Sequence, residues 1–270
     1  MDWTGLSAYA AGGAVGGAVG WLTSRRSRRW RFEVRAASVL AGMLLAGALI
    51  VPRLRDGAVR AELRSAGLDL FGDPPAAEHY VRRLLPIRED AGLADKLQVI
   101  SARLPAGVPP GSGLAGVGYA GMARLSLPEL EVSLAVRRRL ADGSPAVCAA
   151  LWKGGIAASD LTAGLRRLSL EDKQRWIDLT ARATTLELAA EGPPPPISNA
   201  RAALAWSILL ARLPDAKRAI IERAAKSGSA TSSDDACQAF KIVGSEAAAL
   251  APEARETLLR VVTSPFLVSG

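Results

Sequence analysis

The chain is 270 residues long, 49% apolar but only 5% aromatic, and carries a net charge of +8. That length holds one sizeable core or two small ones, and the Ala/Leu/Gly/Arg bias favours helices over strands. One histidine and two cysteines exclude a standard zinc site and leave little for histidine-dependent catalysis.

The charge is unevenly placed. Residues 1–60 hold 9 arginines against 3 acidic residues, whereas residues 61–270 hold 25 basic against 23 acidic side chains. The larger part is nearly neutral, which argues against nucleic acid as a partner. Arg137, Arg138 and Arg139 form its densest basic cluster, read here as a solvated helix face.

Residues 1–55 read as a membrane anchor. Apolar stretches at about 5–22 and 36–51 are both short against the ~20 residues a spanning helix takes. Trp3, Trp21 and Trp30 flank them, where interfacial aromatics belong. Gly12, Gly16 and Gly20 recur every four residues, giving a small-residue face that a second helix can approach closely. Ser38, Gly42 and Ala46 repeat the pattern in the second stretch. The expectation is a two-helix transmembrane hairpin in contact with membrane lipid, with self-association through these helices. The first stretch also resembles the glycine-zipper segments of bacterial envelope proteins.

Orientation follows from the loop 23–35, with Arg25, Arg26, Arg28, Arg29, Arg31 and Arg35. Such a loop stays in the cytoplasm. Whether one stretch spans or both do, residues 56–270 fall on the other side of the inner (cytoplasmic) membrane, in the periplasm. No basic residue precedes the first stretch, unlike a secretory signal.

Residues 56–125 are expected to be a stalk followed by an irregular Gly/Pro-rich region. Within it, helices are predicted at 76–85 and 93–104, with a long loop over 105–123. Residues 126–270 are expected to form an all-α helical bundle with a Pro linker at 193–196. Its start signals are explicit. Ser126 and Glu129 make a capping box. Ser144 precedes Pro145 as N-cap and first helical residue. Ser169 opens a helix whose inner face is Ile177, Ala181, Thr184 and Leu188. Residues 202–211 are apolar on nearly every side and predict a central buried helix. Ala236, Phe240, Val243, Ala247 and Leu250 share one helical face, and Pro252 starts a last helix with Leu258, Val261 and Val262 inward.

Little chemistry is signalled. His79 stands beside a Pro-Pro turn with no partner evident in sequence. Gly116, Gly118 and Gly121 match G-x-G-x-x-G, but the upstream Pro/Gly run cannot be the buried strand a dinucleotide site needs. The acidic pairs Glu129/Glu131, Glu171/Asp172 and Asp234/Asp235 all lie at predicted helix starts, where the helix dipole favours them. No catalytic residue, metal site or cofactor is expected. Cys148 and Cys237 are an even pair in an oxidising compartment, and a disulfide between them is expected. The leading reading is a non-enzymatic envelope protein whose helical interaction or scaffold domain meets an envelope protein partner. A membrane-tethered glycan hydrolase and a secretion or transport accessory are the alternatives.

Overall fold

The computed structural model describes residues 57–90, 92–101, 113–153, 156–227, 230–264 and 268–269. The expected hairpin, with Gly12, Gly16 and Gly20, lies outside the described residues. Among those described, no helix is long and apolar enough to cross a membrane.

Residues 63–270 form one compact unit. Among the described residues 84% are helical, in twelve helices. They are α1 (residues 57–71), α2 (Pro74–Arg88), α3 (Leu93–Ser101) and α4 (Gly113–Gly121), then a 3-10 turn, Met122–Arg124. They continue with α5 (Leu127–Asp142), α6 (Pro145–Lys153), α7 (Ala158–Arg167) and α8 (Leu170–Leu188). The last four are α9 (Asn199–Arg212), α10 (Asp215–Ser227), α11 (Ser233–Glu246) and α12 (Pro252–Thr263). A two-residue parallel pairing of Ile197–Ser198 with Val268–Ser269 is the one strand contact among the described residues.

The helix starts are chemically explicit. Asp73 caps α2 by accepting from the Ala76 N–H at 2.8 Å. The Ser126 N–H donates to Glu129 Oε2 at 2.8 Å, and the Ser169 hydroxyl accepts from the Asp172 N–H at 3.2 Å. Ser232 does the same for Asp235 at 3.1 Å. Each satisfies a backbone donor that the first helical turn leaves without a partner. Between α1 and α2, Gly72 takes φ +69°, a left-handed conformation that glycine adopts without strain.

The long helix α8 organises the core, packing against α2, α4 and α5. A second group joins α6 to α11 and α11 to α10, and α12 bridges α5 and α9. Ile177, Phe240 and Leu258 are at most 1% exposed, and each such burial contributes about 1.5–3 kcal/mol. The inner faces expected from sequence are buried at Ile177, Ala181, Thr184, Ala236, Phe240, Val243, Ala247 and Leu250.

Two expectations need correction. The loop expected over 105–123 is helical from Gly113 onward, as α4 and the following 3-10 turn. Gly118 and Gly121 are packing residues rather than loop residues. A Cβ on Gly121 would stand 2.0 Å from the Ala183 carbonyl oxygen, and one on Gly118 would stand 2.9 Å from Thr184 Oγ1. Residues without side chains let α4 lie directly against α8. The helix α9 is not central either. Only Ala202, Ala205 and Leu209 are buried along it, while Leu204 is 60% and Ile208 37% exposed. A helix apolar all round is usually enclosed; this one is covered on one side by α12.

Cys148 on α6 and Cys237 on α11 are joined as a disulfide, with their Cα atoms 4.8 Å apart. The bridge links segments on either side of the proline run, as expected from the sequence.

Candidate functional site

Three successive arginines on α5 go three different ways. Consecutive residues stand about 100° apart around a helix, so all three cannot share a solvated face. Arg139 turns out and pairs with Asp172. Arg138 donates to the Gly244 carbonyl on α11 at 3.3 Å. Arg137 points inward, because it lies three residues from both Leu134 and Leu140, which are buried. The solvated-face reading is therefore wrong for Arg137.

Arg137 lies in the wall of a cavity of about 410 Å³. Its Nε is buried and has no hydrogen-bond partner. Among the described residues no carboxylate pairs with the guanidinium. Burial pulls its pKa below the ordinary arginine value, with Tyr119 acting in the opposite direction. At neutral pH it remains a cation.

The rest of the wall is mostly apolar, carries the tyrosines Tyr80 and Tyr119, and comes from many elements. Phe71 closes it from α1, Leu84 from α2, Met122 from the 3-10 turn and Leu151 from α6. Leu161 and Leu165 enter from α7, Trp176 and Ile177 from α8, and Val262 from α12. The threonine hydroxyls of the wall are committed. Thr180 donates its hydroxyl to the Trp176 carbonyl at 2.9 Å and Thr184 to the Thr180 carbonyl at 2.8 Å. Thr263 donates to the Leu259 carbonyl at 2.8 Å. With their protons so used, these hydroxyls offer the cavity only acceptor lone pairs. The site is thus a mostly apolar chamber with one partly buried cation, Arg137, and the polar tips of Tyr80, Tyr119 and Trp176, the pattern of a small-molecule pocket with a few orienting groups.

The side chains considered from sequence lie elsewhere. His79 Nε2 is 2.9 Å from Asp178 Oδ1, which also pairs with Arg83 at 2.7 Å. Glu129 serves its helix cap and reaches Arg182 at 3.3 Å; Glu131 pairs with Arg255 at 2.6 Å. Glu171 pairs with Arg175 at 2.5 Å, and Asp235 with Arg223 at 3.0 Å. Burial pushes the Asp172 carboxyl up, but hydrogen bonds from Arg139 and Ser169 outweigh it and hold it below its usual value. None of these residues lines the cavity. No cluster of metal-binding side chains occurs among the described residues.

The sequence reading missed this site because apolar lining residues look like any core. The legible signal was Arg137 itself, a charge at an inward position of an amphipathic helix. Comparison of the chain with protein-family models, with curated proteins and with solved structures gives no match.

Proposed function

We propose that residues 63–270 are a non-enzymatic binding domain for an apolar small molecule. The N-terminal segment would hold this domain on the periplasmic face of the inner membrane. The observation that carries the reading is the mostly apolar cavity of about 410 Å³ with one arginine in its wall, whose Nε is buried and unpartnered. Its volume falls within the ~300–1,000 Å³ range of ligand pockets, and its lining has the same apolar character.

Placement outside the cytoplasm rests on the arginine-rich loop 23–35 and on the Cys148–Cys237 bridge, since structural disulfides persist in oxidising compartments. Self-association through Gly12, Gly16 and Gly20 completes the proposal. Handing a ligand to an envelope protein is a task such a tethered domain suits. A glycan hydrolase needs two carboxylates flanking the scissile bond, and the acidic pairs considered above lie outside the cavity lining.

The test is native mass spectrometry of the full chain, extracted from its membrane and released from neutral detergent. A single small-molecule adduct is expected on each chain. Ala150→Trp, which fills part of the chamber, should remove it while leaving the fold. A chain that carries no adduct, or a variant that carries it undiminished, contradicts the proposal.

A further inference from the structure

Arg137 is the only charged side chain among the residues lining the cavity. Arg137 is partly buried, with its Nε enclosed and without a hydrogen-bond partner. An anion placed against a partly desolvated cation offsets the cost of that desolvation. The threonine hydroxyls cannot supply a competing anion site, because Thr180, Thr184 and Thr263 all donate to carbonyls of their own helices. The phenols of Tyr80 and Tyr119 and the indole N–H of Trp176 are the neutral donors of the lining, and Arg137 is its one positive charge. An anionic head is therefore drawn to Arg137, while Leu84, Leu161, Leu165 and Ile177 suit hydrocarbon.

We infer that the cavity takes a single-chain amphiphile with a carboxylate head, its chain against Leu84, Leu165 and Ile177 and its head on the Arg137 guanidinium. This deepens the binding-domain reading and rests on it. Charge selects the head. A carboxylate neutralises one guanidinium and can accept two of its N–H groups side by side. A phosphate monoester carries about −1.5 to −2 and would leave uncompensated charge in the chamber. An alkylammonium head would be repelled. A neutral alcohol would leave the cation unpaired. The volume of about 410 Å³ lies near the lower end of the pocket range and suits one chain.

The full chain in neutral detergent is offered dodecanoate, dodecyl phosphate, dodecanol and dodecyltrimethylammonium at equal concentration, and adducts are read by native mass spectrometry. Dodecanoate should dominate. Lengthening the chain from octanoate should tighten binding roughly four-fold per methylene until the chamber is full. Arg137→Met should weaken dodecanoate on the order of 10- to 100-fold and should not weaken dodecanol, whose retention also reports that the variant is folded. The wild-type ranking stands independently of that variant. Equal retention of dodecanoate and dodecanol would overturn the head-group inference while leaving the binding domain standing. Preference for dodecyl phosphate would overturn the choice of carboxylate. Retention of none of the four would overturn the binding-domain reading as well.

Discussion

Gly121→Ala is expected to cost the fold about 3 kcal/mol or more, at or beyond the upper end of ordinary overpacking. The added methyl would stand 2.0 Å from the Ala183 carbonyl oxygen and 2.5 Å from its carbonyl carbon. Those are backbone atoms of α8 and cannot rotate aside as a side chain can. Ala183 is itself fully buried, so relief requires α4 and α8 to separate. Gly118, Thr180 and Thr184 lie along this seam and also line the cavity, so the chamber should lose its shape together with the stability. Chemical denaturation of the full chain measures the loss. Gly192→Ala is the control, because a Cβ there meets nothing within 4 Å; its effect should stay within about 0.5 kcal/mol. An unchanged midpoint for Gly121→Ala would contradict the packing described.

Removing the disulfide should have the other large effect. The bridge closes a loop with a sequence separation of 89. In the chain-entropy model such a crosslink stabilises by about 4–5 kcal/mol, although measured values often fall below it. The paired variant Cys148→Ala with Cys237→Ala should lower the denaturation midpoint accordingly. Cys148 is fully buried, so the bridge should resist reductant in the folded chain and yield once the chain unfolds. A double variant as stable as the parent would remove the stabilising role, and with it one support for a periplasmic domain.

Much of the fold was legible because its helix starts are written in local chemistry. Ser126 with Glu129, Ser144 with Pro145, and Ser169 each announce a cap that the structure contains. The inner face of α11 was readable from spacing alone. What failed did so for physical reasons. The glycines of α4 carry low helix propensity and resemble a loop until α8 is laid against them. The composition of α9 suggested enclosure, yet exposure depends on which neighbours reach a helix, and α12 covers one face. The cavity itself is a tertiary object, assembled from residues as distant as Phe71 and Val262. Only Arg137 marked it in one dimension, and grouping it with Arg138 and Arg139 hid that mark.

In the proposed binding domain the chamber, rather than the exterior, receives the ligand. Leu204 and Ile208 on the outer face of α9 offer the natural alternative, being apolar and exposed. Photolabelling separates the two directly. The full chain is irradiated with a diazirine-bearing alkyl carboxylate, and the labelled peptides are mapped. The structure predicts labels on cavity residues such as Leu161, Leu165 and Trp176, suppressed by excess dodecanoate. Labels confined to the Leu204–Ile208 face, and insensitive to that competitor, would contradict it.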